Sequence, residues 1–105
     1  MNNIEEQLKT IIQEITNCVP TICIYLFGSY LNGEYDKDSD VDLYIVTNSN
    51  ERKIDILKKI RKRLIEKVNI PLDLVISDSV EFSKKSQMAC TFEYMIKNEG
   101  IKLYE

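Results

Sequence analysis

The chain has 105 residues, of which 44% are hydrophobic and 30% are charged, as is usual for one folded domain. It contains no histidine, which excludes catalytic triads built on histidine and disfavours a zinc site. No apolar stretch reaches the length of a transmembrane helix, and the first residues lack the basic region of a signal peptide. We therefore expect a single domain over residues 1–105, in the cytoplasm and without membrane contact.

The first part of the chain predicts a helix, a central strand and a second, short helix. Residues 3–17 carry apolar side chains at helical spacing. Residues 21–27 are apolar on both faces, which is typical of a strand that helices cover on each side. The short helix is expected to begin at Ser29, and the pair Asn32-Gly33 ends it.

The remainder predicts two more strands and two more helices. The strands cover residues 40–47 and 71–77, and the helices cover residues 51–69 and 86–98. The last helix is expected to turn four apolar side chains inward, namely Met88, Phe92, Met95 and Ile96. The order α-β-α-β-α-β-α predicts an α/β domain with three or four strands and helices packed against the sheet.

Three cysteines lie in apolar surroundings and show no Cys-x-x-Cys spacing. An odd number of cysteines does not complete a disulfide framework, and this spacing is not that of a metal site. We therefore expect reduced thiols in the core at all three positions, Cys18, Cys23 and Cys90.

Positive charge is concentrated in the helix predicted over residues 51–69. Residues 52–67 hold eight basic and two acidic side chains, although the whole chain has a net charge of −3. Helical spacing leaves these charges on the solvent face and turns one apolar stripe inward, formed by Ile54, Leu57, Ile60, Leu64 and Val68. Two interpretations stay open for the charged face: a solvated surface, or a docking face for RNA or an acidic partner protein.

A Gly-Ser pair and two nearby aspartates form the pattern with the clearest chemistry. Gly28 and Ser29 follow the strand over residues 21–27, and Asp40-Val41-Asp42 comes ten residues later. Alternation along a strand places Asp40 and Asp42 on one face and turns Val41, Leu43 and Ile45 to the core. Adjacent carboxylates suit Mg²⁺, and a Gly-Ser at a helix start offers N–H groups and a hydroxyl to a phosphate.

This pattern resembles the signature of the polymerase-β-like nucleotidyltransferase superfamily, and the chain length resembles that of its minimal nucleotidyltransferases. In that family the Gly-Ser holds the triphosphate, the paired aspartates bind two metal ions, and a third aspartate on a neighbouring strand completes the metal site. Asp73, the one charge in an otherwise apolar strand, matches the third aspartate. The resemblance implies a small mixed sheet of the polymerase-β palm type.

The resemblance also implies a reaction. Two Mg²⁺ ions held by Asp40, Asp42 and Asp73 would clamp an in-line displacement at the α-phosphorus of ATP. Gly28 and Ser29 would hold the terminal phosphates, and Asp73 would orient the acceptor hydroxyl or accept its proton. AMP would thereby move from ATP to a hydroxyl. The structural alternative for the aspartates is turn chemistry at a strand start, and for Gly28 a plain turn glycine.

The acceptor is suggested by resemblance alone. Minimal nucleotidyltransferases include antitoxins encoded beside HEPN-domain toxins, which modify a toxin tyrosine with AMP. This implies a HEPN-domain toxin as partner and a hetero-oligomer. Two alternatives stay open: a nucleotidyltransferase for a small molecule or an RNA end, and a non-catalytic antitoxin that binds through the basic helix. Three converging acids argue against the last, because a pure binding module does not need them.

Overall fold

The computed structural model describes residues 4–28 and 40–105, and of Ile4 the backbone alone. The short helix expected from Ser29 lies outside these residues. The elements described are α1 Ile4–Cys18, β1 Thr21–Phe27, β2 Val41–Thr47, α2 Lys53–Leu64, β3 Leu72–Asp78, α3 Ser79–Lys85, α4 Phe92–Glu99 and β4 Ile101–Tyr104. No helix in this part of the chain is both long and apolar enough to span a bilayer.

The sheet has four strands in the order β3-β2-β1-β4. β2 runs parallel to β3, whereas β1 runs antiparallel to both β2 and β4. The predicted α/β class and mixed sheet are therefore confirmed. A parallel pair requires a crossover between its strands, and α2 provides it between β2 and β3.

One face of the sheet forms the larger core with α1 and α2. Val41, Leu43 and Ile45 of β2 are fully buried there, as predicted from the alternation. Ile11 of α1 and Ile60 of α2 are equally buried against them. Each such side chain contributes about 1.5–3 kcal/mol when it is removed from water.

The opposite face forms a smaller, more aromatic core with α3 and α4. Tyr25 and Tyr44 from the sheet pack with Phe82 of α3 and Ile96 of α4. β1 thus has helices on both sides, which explains why residues 23–26 are all buried and why its sequence is apolar on both faces.

The predicted apolar stripe of α2 is wrong at its first position. Ile54 is 49% exposed, whereas Ile56, Ile60 and Leu64 are buried. The six residues from Ile54 to Ile60 do not make a whole number of helical turns. The two side chains therefore point about 120° apart around the helix axis. Ile56, one four-residue step from Ile60, stays on the buried side. The helix also ends earlier than predicted, with Ile65 as its C-cap.

The last helix is shorter than the one predicted over residues 86–98, because residues 86–91 form a turn and α4 begins only at Phe92. The short helix before it, α3, was not predicted. Asp78 caps α3 by accepting a hydrogen bond from the N–H of Glu81 at 2.7 Å. Thr91 caps α4 by accepting one from the N–H of Tyr94 at 3.1 Å. Asp and Thr are strong N-caps, and Glu81 three residues after Asp78 is typical of a helix start.

Because α4 begins later than predicted, some of the side chains expected to be buried are exposed. Ile96 is buried and Met95 is partly buried as predicted, but Met88 is 51% exposed in the turn between α3 and α4, and Phe92 is 42% exposed. Cys23 is buried and Cys18 partly so, whereas Cys90 is exposed in the same turn, which contradicts its predicted core position. All three thiols are free, as expected.

Close backbone contacts require a glycine at position 100, between α4 and β4. A Cβ on Gly100 would lie 2.6 Å from the carbonyl oxygen of Ile96 and 3.4 Å from that of Leu26. The N–H of Gly100 donates to the same Ile96 carbonyl and closes α4. Without a side chain at this position, the chain can leave α4 and pair at once with β1.

Candidate functional site

Strand register brings two of the three predicted carboxylates side by side. Asp42 of β2 and Asp73 of β3 are direct partners across the parallel pair. Asp40 immediately precedes β2 and is exposed, as is Asp73, whereas Asp42 is half-buried. The three aspartates therefore lie at the same end of two neighbouring strands. Their side chains face solvent to different degrees.

Gly28 brings the end of β1 against the same carboxylate. Phe27, the last residue of β1, is the strand partner of Asp42. Gly28 then adopts a φ of 82°, a left-handed conformation that favours glycine. A Cβ at this position would overlap Oδ2 of Asp42 and lie 2.9 Å from its Cγ. Gly28 is therefore required both by its backbone and by the closeness of Asp42.

Burial and the two neighbouring carboxylates disfavour the ionised form of Asp42. Burial, and after it the charges of Asp73 and Asp40, raises the pKa of Asp42 above its ordinary value of 3.8. Its ionised form is therefore less stable in the folded protein than in water. A bound divalent cation would remove this penalty, because it would replace mutual repulsion with attraction to a common charge.

The chemistry of these side chains fits a magnesium ion. They provide carboxylate oxygens, which Mg²⁺ prefers, and Mg²⁺ in proteins usually takes water and substrate phosphate oxygens as its further ligands. Within residues 4–28 and 40–105, however, no three acidic or thiol side chains are gathered closely enough to hold a metal by themselves. Asp40, Asp42 and Asp73 thus form an open acidic surface, of the kind that Mg²⁺ binds together with substrate phosphates.

Ser29, the second residue of the predicted phosphate-binding pair, lies outside the described residues. Of that pair the structure describes only Gly28, whose backbone stands at the end of β1 beside Asp42.

An aromatic cluster on the same face of the sheet was not predicted. Phe27 and Tyr44 lie on this face because one is the strand partner of Asp42 and the other follows it by two residues. The ring of Phe92 contacts both, with centroids 5.2 Å from Phe27 and 5.9 Å from Tyr44. The sequence signal was the two-residue spacing of Tyr25 and Phe27 on β1 and of Asp42 and Tyr44 on β2. The docking of α4 was not visible in it.

Tyr44 ties the cluster to α4. Its side chain is fully buried, and its hydroxyl donates a hydrogen bond of 2.9 Å to Oε2 of Glu93. Burial, and to a lesser degree the neighbouring Glu93 carboxylate, raises the pKa of Tyr44 well above its ordinary value of 10. Tyr44 therefore stays protonated and acts as a hydrogen-bond donor that positions the start of α4.

Most of the basic side chains of α2 and its flanks have partners within the chain. Five of them form ion pairs: Arg52 with Asp55, Lys53 with Glu81, Lys59 with Glu51, and both Arg63 and Lys67 with Glu14. Arg61 donates instead to the carbonyl of Leu72 at 3.3 Å. Lys58 and Lys62 are exposed and form no ion pair with the residues that the structure describes. The free positive charge is therefore smaller than the sequence suggested.

Comparison with known proteins adds evidence from the whole chain. The model of the nucleotidyltransferase domain family matches residues 5–103. "Putative protein adenylyltransferase MJ0141" of Methanocaldococcus jannaschii is 28% identical over 105 aligned positions, covering 92% of this chain and 99% of the relative. "Putative protein adenylyltransferase MJ0604" of the same organism is 30% identical over 81 positions, covering 77% of this chain and 76% of the relative.

Two solved structures share the fold. A crystal structure of a "putative nucleotidyltransferase from Sulfolobus solfataricus" superimposes with a TM-score of 0.54 and 22% identity, covering 75% of this chain and 70% of that one. A crystal structure of "the toxin-antitoxin with AMP-PNP" gives a TM-score of 0.60 and 21% identity, covering 96% and 73%. Because the family match spans the sheet, its helices and the acidic surface, this chain belongs to the nucleotidyltransferase domain family and is an enzyme of its minimal type.

Proposed function

We propose that the protein transfers AMP from ATP to a hydroxyl of a partner protein, with Mg²⁺ as the cofactor. The observation that carries this proposal is the register of Asp42 with Asp73, together with the backbone of Gly28 against Asp42. The names of the two M. jannaschii relatives, which describe protein adenylyltransferases, support AMP as the transferred group. One structural neighbour was crystallised with AMP-PNP, which supports an adenine nucleotide as the donor.

Each site residue has a distinct role in this proposal. Asp40, Asp42 and Asp73 would hold two Mg²⁺ ions, which neutralise phosphate charge and lower the pKa of the acceptor hydroxyl when bound. Gly28 would offer its N–H, and Ser29 its N–H and hydroxyl, to the terminal phosphates. Asp73 is exposed and would orient the acceptor hydroxyl or accept its proton. The acceptor oxygen bonds to the α-phosphorus, and the bond to pyrophosphate breaks.

We infer that the acceptor is a tyrosine of a HEPN-domain toxin and that the two proteins form a hetero-oligomer. One structural neighbour is a toxin–antitoxin structure, and the motif resembles that of antitoxins paired with HEPN-domain toxins. The exposure of Asp40 and Asp73 supports an acceptor that arrives from outside, because a partner's side chain can reach both carboxylates. Lys58 and Lys62 are the basic side chains of α2 left available for contact with an acidic partner surface.

The test is transfer of labelled AMP in the presence of the partner protein. The purified chain is incubated with ATP and Mg²⁺, with and without the candidate toxin, and the intact mass of both proteins is measured. We expect the toxin to gain the mass of AMP only when metal is present. Asp42→Asn should abolish this gain, whereas Asp55→Asn, a charge-matched change on α2 that removes only the ion pair with Arg52, should preserve it. Modification by the Asp42→Asn variant at the parent rate would overturn the proposal.

A further inference from the structure

Phe92 combines exposure with a fixed position beside the acidic surface. Its side chain is 42% exposed at the first residue of α4. The ring meets that of Phe27 nearly edge-on, at an interplanar angle of 80°, and also contacts Tyr44. Phe27 is the strand partner of Asp42. Phe92 therefore lies one side chain away from the end of the sheet that carries the aspartates.

Several independent contacts fix this position. Thr91 caps α4 directly before Phe92, and Glu93 directly after it accepts the hydrogen bond from Tyr44. Ile96, one turn further along α4, is fully buried against the sheet. The backbone on both sides of Phe92 is therefore anchored, while part of its ring remains open to solvent. A ring that is already ordered loses little conformational entropy when a ligand packs on it.

We propose that Phe92 is a stacking surface for the base of the nucleotide substrate. This inference rests on the proposed function, because it takes the phosphates of that nucleotide to be held at Gly28 and the aspartates. A nucleotide's base is separated from its α-phosphate by one ribose, and Phe92 is separated from Asp42 by the one side chain of Phe27. Every base has a π-face, so an exposed aromatic ring binds bases by stacking without reading their edges.

A single exposed apolar side chain is common and needs no ligand. Tyr94, on the same helix, is 39% exposed and makes no ring contact with a residue that the structure describes. Phe92 differs because its ring is in contact with aromatic residues of the strands that carry the acidic site. Tyr94 therefore provides a matched control on the same element.

The test compares nucleotide binding with binding of inorganic triphosphate, which has no base. Calorimetric titration in the presence of Mg²⁺ is performed on the parent protein, Phe92→Ala, Phe92→Leu and Tyr94→Ala. We expect Phe92→Ala to weaken ATP binding by about 5- to 150-fold, which corresponds to the loss of one base–aromatic stack. Binding of inorganic triphosphate should stay unchanged. Phe92→Leu keeps apolar packing but has no flat ring, so it should lose ATP affinity while remaining folded.

The outcomes separate this inference from the proposed function. ATP binding by Phe92→Ala and Phe92→Leu at the parent affinity would overturn the stacking role alone. Equal weakening of ATP and triphosphate binding would also overturn it, because the change would then act on the phosphate site. Weakening of ATP binding by Tyr94→Ala to the same extent would show a general effect of α4 and would overturn it too. A parent protein that binds no nucleotide would overturn the proposed function and this inference together.

Discussion

The half-buried carboxylate of Asp42 works against stability at neutral pH. Its pKa is raised above 3.8 by burial first and then by the charges of Asp73 and Asp40, so the folded state binds this proton more tightly than the unfolded state. At neutral pH, ionisation therefore destabilises the fold, and stability returns as the pH falls through the raised pKa toward 3.8. A carboxylate at this position therefore costs folding stability, which is consistent with the metal-binding role proposed for it.

The first prediction concerns Asp42→Asn, which we expect to raise the melting temperature at neutral pH while it abolishes AMP transfer. Thermal unfolding of parent and variant should be followed from about pH 7 to about pH 4. The difference between the two melting temperatures should shrink as the parent carboxylate takes up its proton. Asp55→Asn serves as the control, because it removes an exposed ion pair of little energetic value. A variant that melts at or below the parent temperature at neutral pH would contradict this interpretation.

The second prediction concerns Gly28→Ala. A side chain in the left-handed region costs about 1–2 kcal/mol, and this one would also overlap the carboxylate of Asp42. Urea unfolding should therefore give a larger loss than the backbone alone explains. Combining Gly28→Ala with Asp42→Ala should recover the part that is due to overlap.

Gly100 provides the contrast for that experiment. An added Cβ there would meet the backbone carbonyl of Ile96, and no truncation of a side chain can relieve that contact. If Gly28→Ala unfolds at the same urea concentration as the parent, the closeness of Gly28 to Asp42 is not a constraint on the fold.

At the scale of elements, one residue at the start of α4 connects this helix to α3. Thr91 accepts from the N–H of Tyr94, and its hydroxyl also contacts the carbonyls of Lys85 and Met88 at 2.6 and 2.8 Å. It therefore joins the end of α3 to the beginning of α4. Any change that loosens this junction should also loosen the aromatic contacts of Phe92.

The third prediction is that Thr91→Ala lowers the free energy of unfolding by about 0.5–2 kcal/mol, as the loss of an N-cap does. Thr91→Ser keeps the hydroxyl and should stay close to the parent. Chemical denaturation measures both variants. Equal losses for Ala and Ser would assign the effect to the methyl group of Thr91 and contradict the capping role.

The sequence predicted the strands better than the helices, for a physical reason. Most side chains of β1 and β2 are buried. Their pattern of apolar residues can therefore be recognised without knowing which elements pack against them. Met88 lies at helical spacing from Phe92, so periodicity alone extended the last predicted helix back across Thr91, and α3 before it was missed. The signals for two helices were the caps Asp78 and Thr91, whose side chains satisfy backbone groups that periodicity does not count.

The candidate site was likewise predicted only in part. The pairing of Asp42 with Asp73 is implied by the resemblance to nucleotidyltransferases, and the parallel register agrees with it. The cluster around Phe92 was missed because it depends on contacts between residues far apart in sequence, such as Tyr44 with Glu93. Those contacts follow from how α4 packs on the sheet, which the sequence pattern of α4 does not specify.

At the scale of the whole molecule, internal ion pairs neutralise much of the basic helix. Glu14 of α1 pairs with Arg63, and Glu81 of α3 pairs with Lys53, so acidic residues from other elements meet α2. The basic partner of each pair is exposed, and ion pairs that water reaches contribute little to stability, typically about 1 kcal/mol or less each. Their larger effect is to leave only Lys58, Arg61 and Lys62 on this helix without an ion pair to a residue that the structure describes, and of these Arg61 is held by the carbonyl of Leu72.

The fourth prediction tests Lys58 and Lys62 in partner docking. We expect the double change Lys58→Glu and Lys62→Glu to slow modification of the candidate toxin at low salt and to leave ATP binding unchanged. The effect should fade at high salt, because the screening length falls from about 10 Å at 0.1 M to about 3 Å at 1 M. A control with Lys9→Glu and Lys84→Glu makes the same change in net charge on other exposed surfaces. If both double variants slow modification equally, the basic face of α2 is a solvated surface and not a docking face.

The strand order has a consequence for synthesis of the protein. β1 pairs on one side with β4, so Leu26 has no strand partner on that side until Ile101 has been made. A nascent chain that has not yet reached β4 presents the open backbone edge of β1, the strand that leads into Gly28. We expect a chain stopped at Gly100 to be cut by protease near β1 faster than the full chain. The strand beside the acidic surface would then become enclosed only after β4 has been made.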